Sequence, residues 1–94
     1  MKLKELIEHK NSWLVDVRSA EEVAEISVPT AEHIPMQNIM DNLPRFKAHE
    51  GPIVLFCATG NRSAQVMQYL KQSGCDAHNG GGYNDILQHQ NNKS

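Results

Sequence analysis

The chain has 94 residues, of which 39% are hydrophobic and 21% charged, so its length and composition are those of one folded domain with a modest core. Nine basic residues against 11 acidic ones give a formal net charge of -2 at pH 7, a balance that argues against a nucleic-acid-binding face. The apolar runs are too short for a transmembrane helix, so we expect no interaction with a membrane.

The start of the chain lacks the apolar stretch and the small-residue cleavage site of a signal peptide. Two cysteines are too few for a disulfide framework, and five scattered histidines form no ligand pair at helical spacing. We therefore expect a cytoplasmic protein with free thiols, no bound metal and no cofactor. A periplasmic location would require a leader ahead of Met1.

Helical periodicity, with apolar residues three and four positions apart, recurs along the chain. It covers residues 2–9, 20–26, 36–43 and 62–73, and a short segment that begins at Tyr83. Ser19 predicts the start of the second helix, because it is a good N-cap and Glu22 completes a capping box. Pro44 predicts the end of the third helix, and Gly74 predicts the end of the fourth.

Runs of β-prone residues alternate with these helices at 13–17, 32–35, 52–56 and 75–78. We expect a polar connection over 47–51, a flexible turn at glycines 80–82 and a polar tail over 89–94. The alternation predicts a single α/β domain over residues 1–94, with its core at about 3–88. Its small, mainly parallel central sheet should carry helices on both faces.

The most informative segment begins at Cys57, at the carboxyl end of the apolar 52–56 strand, where parallel sheets bind their ligands. Successive backbone N–H groups after the cysteine can form an anion-binding nest, and Gly60 permits a positive φ there. Arg62 adds a permanent cation and Ser63 a hydroxyl. This environment suits a reactive thiolate. The structural alternative is a small buried side chain at a strand end.

Three segments together resemble the rhodanese family of sulfurtransferases, over about residues 3–88. They are Trp13-Leu14-Val15-Asp16-Val17-Arg18 followed by Glu21-Glu22, the loop Cys57-Ala58-Thr59-Gly60-Asn61-Arg62-Ser63, and Gly81-Gly82-Tyr83. The loop matches that family's Cys-x-x-Gly-x-Arg-Ser motif and is the specific part of the resemblance. Residues 26–35 depart from the usual family sequence, and the tryptophan that commonly follows the Gly-Gly turn is absent.

The resemblance implies a rhodanese-like fold and a thiosulfate sulfurtransferase. The Cys57 thiolate would take a sulfane sulfur from thiosulfate or another small anionic donor and hold it as a persulfide. Cyanide or a thiol, including a protein thiol, would then accept the sulfur. The expected donor-binding and persulfide-binding residues are Ala58, Thr59, Gly60, Asn61, Arg62 and Ser63. Asp16 and Arg18 are expected to provide structural support.

Other functions remain open at this point. The domain could carry a persulfide to a protein partner, or act as a non-catalytic rhodanese-like binding module, although such modules usually lack the loop cysteine. A cysteine phosphatase or arsenate reductase is less favoured. Only four residues separate Cys57 from Arg62, where those phosphatases have five, and Phe56 stands where they often have histidine. Cys75 is interpreted as a core residue rather than a resolving thiol.

Overall fold

The computed structural model describes residues 2–91, and its centre is a four-stranded sheet. The strands are β1 (Trp13–Asp16), β2 (Glu32–His33), β3 (Ile53–Cys57) and β4 (Ala77–Gly82). Their order is β2-β1-β3-β4, and every neighbouring pair is parallel. This confirms the predicted parallel sheet. Strand β3 lies in the interior, so its carboxyl end is flanked by chain on both sides.

Within residues 2–91, five α-helices and two short 3-10 turns surround the sheet. The helices are α1 (Leu3–Glu8), α2 (Ala20–Glu25), α3 (Leu43–Ala48), α4 (Asn61–Gln72) and α5 (Tyr83–Asn91), and the 3-10 turns are Met36–Asn38 and Met40–Asn42. Apolar side chains of β3 alternate between two separate core clusters, one with Phe46 of α3 and Leu70 of α4, the other with Leu6 of α1 and Ile86 of α5. The expected helices therefore cover both faces.

Two predicted helix ends have the expected local chemistry. The Ser19 side chain accepts a hydrogen bond from the Glu22 N–H, and the Glu22 carboxylate accepts one from the Ser19 N–H, which completes the capping box of α2. At the end of α4, Gly74 has φ +91°, and the Cys75 N–H donates to the Leu70 carbonyl at 2.9 Å. This Schellman arrangement stops the helix where the glycine predicted.

The predicted helix over 36–43 is wrong. The chain there forms the two 3-10 turns, and an α-helix begins only at Leu43 and includes Pro44 in its first turn. Proline is tolerated at that position because the first N–H groups of a helix have no partner within it. The helix continues to Ala48 and buries Phe46, so it also shortens the expected polar connection.

The predicted flexible turn at glycines 80–82 is also wrong, because these residues form the second half of β4. A Cβ on Gly80 would lie 2.9 Å from Val54 Cγ1, and one on Gly82 would lie 2.6 Å from the Ala58 carbonyl oxygen. The glycines therefore let β4 approach its neighbours closely, across a register shift beside Leu55 and Phe56.

The last helix is longer than the sequence suggested. It continues to Asn91, and Gln90 Nε2 donates to the Pro29 carbonyl at 2.9 Å. Part of the expected polar tail is thus helical, and the rest of it, residues 92–94, lies outside the described residues. None of the helices within residues 2–91 has the length and apolar character needed to cross a membrane.

Candidate active site

The candidate site forms where β3 ends and α4 begins. Cys57 is the last residue of β3, and a three-residue loop, 58–60, leads directly into α4. The Gly60 N–H donates to Cys57 Sγ at 3.0 Å, and Ser63 Oγ lies 3.5 Å from the same sulfur. Gly60 adopts φ +97°, a left-handed conformation that glycine tolerates and that turns the chain from the loop into α4.

Opposing effects set the acidity of the Cys57 thiol. Burial disfavours the thiolate and is the largest single effect on its pKa. Hydrogen bonds from the Ser63 hydroxyl and from the backbone N–H groups of Ser63, Thr59 and Gly60 outweigh it together and lower the pKa of Cys57 to about 7. The thiolate, which is the nucleophilic form, is therefore more populated at neutral pH than in an ordinary cysteine.

Arg62 forms an ion pair that the sequence did not predict. Its guanidinium donates to both carboxylate oxygens of Glu22, at 2.8 and 2.9 Å. The hydrogen bond from Arg62 is the main cause that lowers the pKa of Glu22 to about 2. The neighbouring Cys57 thiolate also favours the charged form of Arg62. The cation therefore stands beside the sulfur, but a carboxylate balances its charge.

Asp16 and Arg18 form a buried pair behind the site. Arg18 Nη2 lies 2.7 Å from Asp16 Oδ2, and the side chains are only 1% and 3% exposed, respectively. Arg18 also donates to the Ile26 carbonyl at 2.8 Å, and its guanidinium stacks 4.5 Å from the centre of the Tyr83 ring. His33 Nε2 lies 2.7 Å from the Arg18 carbonyl oxygen. This pair joins β1, the segment after α2 and the start of α5.

The remaining loop residues differ in exposure. Thr59 and Asn61 are exposed at the mouth of the loop, and Ala58 is half-buried. Cys75 is a free thiol packed at the edge of the core, with its pKa raised by burial. Across residues 2–91 there is no cluster of three or more His, Cys, Asp or Glu side chains that could hold a metal ion.

Two residues at the site were missed by sequence reasoning. The sequence predicts for Glu22 only a capping box with Ser19, yet its side chain is also half-buried against Arg62. Asn79 on β4 hydrogen-bonds to both Ser63 and Gly60. The position of Asn79 in the sequence could have indicated a place near the site, because it directly precedes the glycines near the carboxyl end of β4. No sequence spacing links Glu22 to Arg62, which lie 40 residues apart.

The geometry defines an α/β domain with a thiol of lowered pKa at the carboxyl edge of a parallel sheet, in a loop whose N–H groups donate to its sulfur. Comparison with known proteins then gives the family: the rhodanese-like domain profile matches residues 1–89, and the chain belongs to that family. YtwF of Bacillus subtilis (strain 168), a candidate sulfurtransferase by its name, is 42% identical over 76 residues, which cover 77% of this chain and 70% of YtwF.

Two solved structures extend the comparison. A rhodanese-like domain protein from Staphylococcus aureus is 41% identical, with a TM-score of 0.74, covering 86% of this chain and 79% of that one. The human single-domain sulfurtransferase TSTD1 is 31% identical, with a TM-score of 0.68, covering 92% of this chain and 89% of that one. The match over nearly the whole chain confirms the rhodanese-like fold.

Proposed function

We propose that this protein is a sulfurtransferase that moves a sulfane sulfur from thiosulfate or a related anionic donor to cyanide or a thiol, through a persulfide on Cys57. The observation that carries the proposal is the convergence of hydrogen-bond donors on Cys57 Sγ, with the Gly60 N–H at 3.0 Å. Relatives of this chain named as sulfurtransferases support the reaction class. The free thiols suit a reducing compartment such as the cytoplasm.

The proposed reaction has two displacements and balances without a cofactor. The Cys57 thiolate attacks the outer sulfur of thiosulfate, a new S–S bond forms, and the old S–S bond breaks so that sulfite leaves with the electron pair. An acceptor thiolate or cyanide then attacks the outer sulfur of the persulfide. Cys57 leaves as a thiolate. The Gly60 N–H and the other hydrogen-bond donors of the loop are proposed to stabilise the sulfur both in the thiolate and in the persulfide.

Access to the sulfur is part of this proposal. The Cys57 side chain is fully buried at 0% exposure, so a donor can reach it only when the surrounding loop opens. Thr59 and Asn61 are exposed at the mouth and are the proposed first contacts of the donor, together with Ala58. Arg62 and Ser63 are proposed to hold the bound anion, and Asp16 and Arg18 to brace the site from behind.

The proposal predicts a persulfide that can be weighed. Intact mass spectrometry of the protein incubated with thiosulfate should show a gain of one sulfur atom, reversed by cyanide. Cys57→Ser should show no gain, whereas Cys75→Ser, which removes the other cysteine, should behave as the unmodified chain. A folded protein whose free thiol gains no sulfur from thiosulfate or from an organic persulfide would contradict the proposal. It would favour a binding module or a phosphatase instead.

The Arg62–Glu22 ion pair leads to a second expectation for this reaction. Replacing Glu22 by glutamine removes a negative charge beside the loop and leaves Arg62 unbalanced near the sulfur. A dianionic donor should then be attracted more strongly. We expect the second-order rate of persulfide formation from thiosulfate to rise by about three- to tenfold at low ionic strength, measured by stopped-flow or quenched-flow mass analysis.

Glutamine is the matched replacement, because at this third helical position it can keep the capping box of α2. The gain should shrink at about 1 M salt, where the Debye length is roughly 3 Å. The control is Glu21→Gln, which removes an exposed negative charge one position earlier. An equal gain from both variants, or a slower reaction of Glu22→Gln, would show that Glu22 does not restrain the cation in this way.

A further inference from the structure

Asn79 contacts two of the residues that can donate a hydrogen bond to the Cys57 sulfur. Asn79 Oδ1 lies 2.7 Å from Ser63 Oγ, which donates to it, and Asn79 Nδ2 donates to the Gly60 carbonyl at 3.1 Å. Ser63 and Gly60 are themselves the neighbours of Cys57 Sγ, at 3.5 and 3.0 Å. One amide on β4 therefore ties together two sides of the sulfur environment.

The orientation of this amide is fixed by two backbone groups. The Gly81 N–H donates to Asn79 Oδ1 at 3.0 Å, so the oxygen must face that N–H. The Gly60 carbonyl requires a donor, so the nitrogen must face Gly60. Turning the amide over would place two donors together at Gly81 and two acceptors together at Gly60. The residue is thus held in a single arrangement although it lies at the exposed end of the network.

The loop and β4 also approach too closely for this contact to be incidental. A Cβ on Gly60 would lie 3.2 Å from the Gly81 Cα, so the turn rests directly against the strand that carries Asn79.

The single hydroxyl proton of Ser63 can serve one acceptor at a time. At 2.7 Å the Asn79 oxygen is the nearer acceptor, compared with 3.5 Å to the sulfur. Of Gly60 and Ser63, Gly60 is therefore the one that donates to Cys57 Sγ, through its N–H at 3.0 Å.

We propose that Asn79 is a positioning residue: by anchoring the Gly60 carbonyl to β4, it fixes the turn at Gly60 and holds the Gly60 N–H on the Cys57 sulfur. The inference rests on the proposed role of Cys57 as the reacting thiol. It extends that proposal to a residue outside the Cys-x-x-Gly-x-Arg-Ser motif. Asn79 does not contact the reacting sulfur itself and acts through Gly60.

The test is the pH dependence of Cys57 alkylation by iodoacetamide, which is uncharged and needs no sulfur donor. A Cys75→Ser background leaves Cys57 as the single thiol of the chain. The midpoint of the profile reports the pKa, and the plateau at high pH reports access. Asn79→Ala should raise the midpoint by roughly 0.5–1 pH unit, so that alkylation at pH 7 falls about two- to fivefold while the plateaus agree.

Asn79→Ser separates the contact with the loop from the local turn of β4. A serine hydroxyl can still accept the Gly81 N–H two residues on, but it is too short to reach the Gly60 carbonyl. This variant should show the same midpoint shift as Asn79→Ala with a smaller loss of thermal stability. The control is Asn42→Ala, which removes another amide that donates to a backbone carbonyl, that of Asn38 at 2.9 Å, on the 3-10 segment away from the loop.

Profiles of Asn79→Ala and Asn79→Ser that coincide with that of the parent would overturn the inference. So would midpoints lower than that of the parent, which would show that Asn79 mainly draws the Ser63 hydroxyl away from the sulfur. So would a shift as large in Asn42→Ala, because the effect would then reflect general loosening. Should Asn79→Ala fail to fold, the serine variant alone decides the matter. A midpoint shift without persulfide formation from any donor would support Asn79 and contradict the proposed function, so the two failures are distinguishable.

Discussion

Replacing Arg18 by methionine is expected to lower the free energy of unfolding by about 3–5 kcal/mol, a large share of the ~5–15 kcal/mol that holds a domain together. The substitution leaves the Asp16 carboxylate buried, with its side chain 3% exposed and its ion-pair partner gone. It also removes the hydrogen bond to the Ile26 carbonyl and the stacking on Tyr83. Urea unfolding followed by circular dichroism measures the loss.

The matched comparison is Arg45→Met. Arg45 pairs with Glu32 at 2.7 Å and stacks over the Trp13 ring at 5.0 Å, so it makes the same kinds of contact as Arg18. Its side chain is 52% exposed, however, and such surface pairs contribute only about 0–1 kcal/mol. Similar losses in the two variants would mean that burial does not set the contribution of the Asp16–Arg18 pair.

Replacing Gly82 by alanine is expected to slow persulfide formation by about tenfold or more, because misplacing a reacting group by about an ångström can cost up to 100-fold. The new Cβ would lie 2.6 Å from the Ala58 carbonyl oxygen, and Ala58 directly follows Cys57. Backbone cannot rotate away as a flexible side chain can, so the loop itself must shift. We also expect a stability loss of about 1–3 kcal/mol from the forced overlap.

Gly74→Ala is the control for this variant. Gly74 has φ +91° and nothing within 4 Å of the position of a Cβ, so the substitution strains the end of α4 without touching the loop. It should cost about 1 kcal/mol of stability and leave the rate of persulfide formation unchanged. Rapid-quench mass analysis of both variants gives the rates. A Gly82→Ala protein that reacts at the rate of the parent would show that the Ala58 backbone does not hold the thiol in place.

Sequence reasoning succeeded where the determining interactions are local. The capping box of Ser19 and Glu22 spans three residues, and the stop at Gly74 depends on one glycine conformation. The loop from Cys57 to Ser63 is likewise contiguous, so its spacing alone placed the thiol at the start of a helix. These features could be predicted because each is decided by chemistry within about one helical turn.

The misses have a common physical cause, since each depends on contacts between distant segments. The glycines of β4 look like a turn in the sequence, but they pack against β3 and the Ala58 carbonyl, which no local pattern shows. The bond from Asn79 to Gly60 joins residues 19 positions apart. Pro44 misled the helix prediction because proline ends a helix from its interior but is tolerated in the first turn, and α3 begins at Leu43 and packs Phe46 into the core.

The packing of α1 against α5 has a consequence for how this fold can be joined to other polypeptides. Lys4 and Asn91 line the same cavity, so the two ends of the described chain lie near each other. Helix α5 starts beside the loop at Tyr83 and carries the chain about 13 Å away from it over nine residues. A partner domain fused at either end would therefore sit beside the other attachment point, away from the mouth of the loop. The domain therefore has the geometry of a unit that can be inserted into a longer chain, because its two attachment points lie together and apart from the reacting loop.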